Sequence, residues 1–113
     1  MTADSGVALD QALRALADGN RRSILGAVHR QPRPVGEVAD DVGLSQQATS
    51  HHLRVLRTAG LVTETRTGTR HLFAVNTDGF GAVRSYLDDF WPSKLVALRE
   101  AVESQNPPDV GDV

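Results

Sequence analysis

Cysteine is absent from these 113 residues. Its absence excludes disulfides, thiolate metal sites and thiol redox switches. Aromatic side chains amount to only 4%. No apolar run approaches the roughly 18 residues that a membrane span needs. The first residues, M-T-A-D-S-G, lack the basic and apolar regions of a secretory leader, and a cytoplasmic protein without a membrane partner is expected. Catalytic signatures are missing as well. There is no nucleophile elbow, no glycine-rich phosphate loop and no carboxylate pair placed in a plausible cleft, which argues against an enzyme. The net charge of −2 argues against a chain that coats nucleic acid by bulk attraction.

What is present fits one soluble domain, with 40% apolar and 23% charged residues. Its charge is unevenly spread. From Ser45 to Val75 the ionised groups are Arg54, Arg57, Arg66, Arg70 and Glu64, so this stretch carries +3 and the remainder −5. A basic middle between acidic flanks is what local phosphate contact requires.

The middle contains L-S-Q-Q-A-T-S-H-H-L-R-V-L-R-T-A, residues 44–59, closed by Gly60. At about 100° per residue these divide into two arcs. One holds Gln46, Gln47, Ser50, His51, Arg54, Arg57 and Thr58, the other Ala48, Thr49, His52, Leu53, Val55, Leu56 and Ala59. Ser45 suits the N-cap and Gly60 the left-handed C-terminal turn. The first arc has no acid and no large apolar side chain. Its amides, hydroxyl, imidazole and guanidinia are the groups that meet base edges and phosphates in a DNA major groove. Position separates the two histidines. His51 is a candidate for DNA contact, whereas His52 lies among apolar residues and is expected to be partly buried and hydrogen-bonded to a neighbouring element.

Helical spacing predicts a first helix over Val7–Ala17 and a second over Arg21–Arg30 with Asn20 as cap. Arg21 and Arg22 suit structural ion pairs with an acid. Gln31-Pro32-Arg33-Pro34 reads as a stiff connector. A third helix is predicted over Val35–Val42 and is broken by Gly43, so that the stretch from Ser45 becomes the second member of a helix-turn-helix. Residues 61–66 and 70–75 then alternate as strands, joined by the three-residue loop Thr67-Gly68-Thr69, a hairpin flanked by Arg66 and Arg70.

Asn76-Thr77-Asp78 offers caps for a long last helix, residues 79–104, kinked near Asp88 by Pro92. Phe80, Val83, Leu87, Phe90, Trp91, Leu95, Leu98 and Val102 form a stripe along it. With Leu9 and Leu13 that stripe is the expected seam of a homodimer, which supplies the two-fold symmetry that helix-turn-helix readers use. Residues 1–6 and 105–113 read as disordered tails around one domain, 7–104.

The order α-α-α-α-β-β-α, mainly α with one β-hairpin, resembles the ArsR/SmtB family of winged helix-turn-helix repressors. The likeness rests on A-L-A-D-G-N-R-R-S-I-L (Ala15–Leu25), on Ser50, His52, Leu53, Leu56, Ala59, Gly60, Leu61 and Val62, and on the hairpin R-T-G-T-R-H-L-F. The terminal F-W-P-S-K-L-x-x-L is similar to a subgroup that lacks metal-site residues. The resemblance implies a homodimer that binds an inverted-repeat operator in double-stranded DNA and blocks transcription. Its DNA-binding set would be Ser45, Gln46, Gln47, Ser50, His51, Arg54 and Arg57, with Arg66, Thr67, Thr69 and Arg70 from the wing. Metal-sensing members carry cysteines in the third helix or Asp and His ligands in the last. Here the third helix reads V-G-E-V-A-D-D-V and the last has no histidine, so no metal site and no cofactor are expected. Two alternatives stay open, a metal- or small-molecule-responsive repressor with a site at the seam near Trp91, and a winged module for protein contact only.

Overall fold

The computed structural model describes residues 2–90 and 99–104. They form α1 (Thr2–Leu16), α2 (Gly19–Arg30), α3 (Val35–Val42), α4 (Gln46–Thr58), β1 (Val62–Thr67), β2 (Arg70–Val75), a 3-10 turn (Thr77–Phe80) and α5 (Gly81–Asp88). The chain divides into two units, Met1–Val83 and Arg84–Val113, each described by itself.

The order of elements is the one the pattern predicts, and the differences lie at their ends. Helix α1 begins at Thr2 and includes most of the segment expected as a tail. A polar first turn has no face to bury and so gives no periodic signal, yet it extends a helix already nucleated at little cost. The N-cap of α2 is Asp18 rather than Asn20. Its Oδ1 accepts from the backbone N–H of Asn20 at 2.8 Å and of Arg21 at 3.3 Å. Partial burial acts to raise the Asp18 pKa, but these two bonds and the nearby Arg21 charge outweigh it and hold the carboxyl below its usual range.

The first unit packs around Ile24, Ala27 and Val28 of α2, Val38 of α3, Leu53 and Leu56 of α4, and Leu61 and Val62, with Ala12 and Ala15 of α1 closing one side. Burying a leucine side chain contributes about 1.5–3 kcal/mol, so Leu53 and Leu56 are the main anchors of α4. Between α3 and α4 the chain turns at Gly43, whose φ is +72°. Ser45 then caps α4, its Oγ accepting from Ala48 N–H at 3.0 Å. Thr49 is fully buried, and its hydroxyl donates to the Ser45 carbonyl at 2.8 Å.

The hairpin pairs Val62 with Val75 through to Thr67 with Arg70. Its loop is therefore two residues, Gly68-Thr69, not the expected three. Gly68 has φ +63° while Thr69 stays at negative φ, the pattern of a type II′ turn, whose twist suits paired strands. The proline-flanked connector does more than join helices. Arg33 and Phe73 exchange two backbone hydrogen bonds, at 3.0 and 2.8 Å, so β2 is pinned to the segment just ahead of α3.

The junction of α4 with the hairpin is tight. Gly60 has φ +82°, a conformation that a side chain would strain. Its carbonyl accepts from Asn76 Nδ2 at 2.9 Å. Asn76, expected as a helix cap, thus makes no cap bond and is committed to this turn. Gly79 comes closer still, since a Cβ there would lie 1.7 Å from the Gly60 carbonyl oxygen.

The expected long helix is interrupted. It opens as the 3-10 turn and α5 ends at Asp88, four residues before Pro92 in the sequence. Pro92 and the expected seam residues Trp91, Leu95 and Leu98 lie outside the described residues. The 3-10 turn folds Phe80 and Val83 back onto the core of the first unit; in this protomer they serve intramolecular packing rather than a free seam. Leu9 is half-buried, while Leu13 of α1 and Leu87, Phe90 and Val102 of the second unit are exposed. Tyr86 and Phe90 meet edge to face with ring centres 4.9 Å apart, and residues 99–104 are helical.

The Gly79 contact is testable with a control nearby. Gly79→Ala must displace backbone against backbone and is expected to destabilise by about 3 kcal/mol or more. Gly81→Ala meets nothing within 4 Å and has helical φ and ψ, so it should be neutral or stabilise by up to about 1 kcal/mol. Urea unfolding of the two variants makes the comparison.

Candidate nucleic-acid interface

Helix α4 is split as its arcs predict. Thr49, Leu53 and Leu56 are buried, and Ala48, His52, Val55 and Ala59 are half-buried. Gln46, Gln47, His51, Arg54, Arg57 and Thr58 are exposed, with Ser50 half-buried beside them. Ser45 is exposed, its oxygen engaged in the cap and its O–H free to donate. The inner face fixes the height and rotation of the helix. The outer face presents amides, hydroxyls, an imidazole and guanidinia, with no acid among them.

The hairpin continues that surface. Ser50, Arg54 and Arg57 face Glu64, His71 and Phe73 across a recess of about 290 Å³. Arg66, Thr67, Thr69 and Arg70 are all exposed around the hairpin turn. Arg54 and Arg66 have no carboxylate within 4 Å among the described residues, whereas Arg70 lies 3.9 Å from Glu37, both side chains being more than half exposed. Such a pair is worth little.

Glu64 is the residue that pattern reasoning passed over. Across the recess its Oε1 accepts from Arg57 Nη1, and its Oε2 pairs with His71 Nδ1 at 2.5 Å. Arg57, expected among the DNA-contact residues, is thus ion-paired in the free protein. Its side chain is 49% exposed, and a pair this wet contributes about 0–1 kcal/mol, so exchange of Glu64 for phosphate is not costly. The sequence signal was a lone acid in a basic stretch. Its partner became visible only with the strand register that sets Glu64 against Phe73 and two residues from His71.

A second set of side chains supports α4 from behind. Arg21 Nε donates to the Ala15 carbonyl at 2.7 Å and Nη2 to the Arg14 carbonyl at 3.2 Å. Nη1 donates to His52 Nδ1 at 3.3 Å. Arg22 Nη1 donates to the Leu16 carbonyl at 2.7 Å. The Ala15 and Leu16 carbonyls end α1 without a backbone donor, and the Arg14 carbonyl also accepts from Ala17 N–H at 3.2 Å. The expected ion pairs with an acid are therefore secondary. Arg21 keeps Asp18 at 3.8 Å, and Arg22 serves a carbonyl, because the orphan acceptors at the end of α1 lie nearer. A guanidinium only donates, so His52 Nδ1 is the acceptor and the neutral ring carries its proton on Nε2. His52 is half-buried and linked to another element, as its place on the wheel predicts. Among the described residues no group of three or more His, Cys, Asp or Glu side chains is placed to hold a metal.

A short helix, a glycine turn, a second helix with a polar outer face and a hairpin beside it make up a winged helix-turn-helix, the architecture in which the second helix of the pair enters the major groove. Comparisons with known proteins agree. Residues 16–65 match a family described as a helix-turn-helix domain. The chain is 41% identical over 96 residues to the HTH-type transcriptional regulator Rv2034 of Mycobacterium tuberculosis, covering 85% of this chain and 90% of that protein. It is 35% identical over 68 residues to the transcriptional repressor SmtB homolog of Synechocystis, covering 60% of this chain and 52% of that one. Among solved structures, the homodimeric winged helix-turn-helix DNA-binding domain of Mb0332 from Mycobacterium bovis, a possible ArsR-family regulator, superposes with a TM-score of 0.65 at 26% identity. That match covers 91% of this chain and 89% of the other. The chain belongs to the ArsR/SmtB family of winged helix-turn-helix transcriptional regulators.

Arg21 gives the prediction for this surface. Arg21→Lys keeps the charge, but a single ammonium cannot serve the Arg14 carbonyl, the Ala15 carbonyl and His52 together. A loss of about 1–3 kcal/mol is expected in urea unfolding. In heteronuclear spectra the His52 ring resonances should shift, since the Nη1 contact to Nδ1 is lost.

Proposed function

We propose that the protein is a sequence-specific transcriptional repressor that binds an inverted-repeat operator in double-stranded DNA as a homodimer. The observation that carries this reading is the continuous acid-free outer face of α4, set beside an exposed hairpin turn flanked by two arginines. Gln46, Gln47 and Ser50, near the start of α4, are assigned to base edges, and glutamine matches adenine with two hydrogen bonds. His51 and Arg54 extend the contact along the groove. Ser45 and Arg57 hold phosphate, Arg57 by leaving Glu64, and the wing places Arg66, Thr67, Thr69 and Arg70 along the backbone.

Dimerisation is assigned to Leu9, Leu13, Leu87, Phe90 and Val102, with Trp91, Leu95 and Leu98. The exposed large apolar side chains among these, such as Phe90 at 62%, call for a partner surface, and the M. bovis neighbour is homodimeric. Repression is supported by the printed name of the Synechocystis relative. In this reading the protein acts in the cytoplasm, takes part in no catalysis and needs no metal or cofactor.

Two substitutions separate positioning from reading. Arg70→Ala should weaken binding on operator and random duplex alike and flatten the dependence of log K on log salt by about one unit. Gln47→Ala should lower discrimination at particular base pairs by about 1–3 kcal/mol while leaving random DNA almost untouched. Fluorescence anisotropy across a salt series, with the DNA upstream of the protein's own gene as operator, measures both. Equal losses on the two DNAs for Gln47→Ala would refute its role as a reader.

A further inference from the structure

We propose that the groove between α1 and α4 binds an amphipathic organic anion, a carboxylate on an apolar body, and that its occupant competes with DNA. The groove encloses about 340 Å³, within the range of small-ligand sites. Its floor is apolar, made by Ala15, Val55 and Ala59, and three guanidinium side chains, Arg14, Arg21 and Arg54, line it from three different helices. Converging cations over an apolar floor select against both a neutral ligand and a bare inorganic anion. The first would leave the charges unanswered and the second would leave the floor wet.

Arg21 is already held in place. Three of its five N–H groups are engaged by the Arg14 and Ala15 carbonyls and by His52, so its fork is oriented before a ligand arrives. The carboxylate nearest to it, Asp18, stands 3.8 Å away on the N-cap side of α2. Arg14 and Arg54 are exposed and have no carboxylate within 4 Å among the described residues. A carboxylate entering the groove meets charge-assisted donors on Arg14 and Arg54 that no acid among the described residues occupies.

The groove shares residues with the DNA surface. His51 and Arg54 line it and also belong to the outer face of α4. An anion bound there takes the Arg54 charge and a flank of the helix that DNA would otherwise cover, so the two ligands are negatively coupled. On the α1 wheel Gln11 and Arg14 lie about 100° or more from Leu9 and Leu13, so the α1 part of the assigned seam faces away from the groove. The competition rests on the DNA-binding reading above, whereas the anion site itself does not.

The probes are 1-naphthoate and its neutral analogue 1-naphthalenemethanol, titrated into the full chain without DNA and followed by calorimetry and amide shifts. Saturable binding of naphthoate is expected, with shifts centred on Ala15, Val55, Thr58 and Ala59, and the alcohol should bind at least about tenfold more weakly. Arg14→Gln should weaken naphthoate about tenfold, and Thr58→Trp, which fills the groove from an exposed position, should abolish it. The Arg14→Gln variant should keep its DNA affinity when naphthoate is absent. Naphthoate should lower the DNA affinity of the wild type and leave that of Thr58→Trp unchanged. Absence of saturation, equal binding of the alcohol, or shifts elsewhere would overturn the site. So would an Arg14→Gln variant that loses DNA affinity with a flatter salt dependence, since the groove would then hold a DNA phosphate. Naphthoate bound in the groove without any change in DNA affinity would overturn the competition. If the wild type bound naphthoate but no DNA, the DNA-binding reading would fail and the anion site would stand.

Discussion

The backbone contact between Gly60 and Gly79 sets the relation of the recognition helix to the wing. Helix α4 ends in a left-handed turn at Gly60, and Leu61 N–H reaches back to the Leu56 carbonyl at 2.9 Å before β1 starts. The returning strand closes on the same spot, because Asn76 N–H donates to the Leu61 carbonyl and Asn76 Nδ2 to that of Gly60, both at 2.9 Å. Gly79 then passes so close that only hydrogen fits beside the Gly60 carbonyl. Three successive elements meet at one peptide. The angle between α4 and the hairpin is therefore a property of the backbone and does not depend on the exposed side chains that would meet DNA. Those side chains are free to serve recognition.

Electrostatics divides the arginines by environment. Arg21, with 15% of its side chain exposed, is enclosed by the carbonyls that end α1 and by His52, and contributes to stability by supplying the donor that the Ala15 carbonyl otherwise lacks. Arg30 and Arg33 share Asp41, at 2.6 and 3.4 Å, on the α2–α3 side. Arg54, Arg57, Arg66 and Arg70 project from α4 and the wing, and their pairings are either exposed or lacking among the described residues. The same residue type thus serves structure where it is buried among carbonyls and stays solvent-exposed and at most weakly paired on α4 and the wing. Acids are kept off the outer face of α4. Glu64, the one acid of the central stretch, lies across the recess on the hairpin and pairs with both Arg57 and His71.

Local pattern carried the fold far. Periodicity placed α3 and α4 to the residue or within one, the two arcs of α4 matched its burial, and the Ser45 cap and Gly60 turn followed from side-chain chemistry alone. What escaped were interactions between distant residues. The Arg33–Phe73 bridge has no local signature, since connector and strand are forty residues apart in the chain. Asn76 and Asp18 look alike as capping residues, and only the fold decides that one caps a helix and the other ties a turn. Phe80 and Val83 fit a dimer stripe as well as a core, because a helical stripe records that a face is apolar and not what covers it. The outer residues of α4 were legible as a set. Their individual partners on DNA were not, since base reading depends on approach geometry that one chain does not encode.

Selection of binding sites from a pool of random duplexes tests the central claim most directly. If the outer face of α4 reads DNA as part of a symmetric dimer, the enriched sequences should form an inverted repeat, its half-sites centred one helical turn of about 34 Å, or a multiple of it, apart. Recovery of duplexes without any common sequence, at wild-type affinity for random DNA, would contradict it.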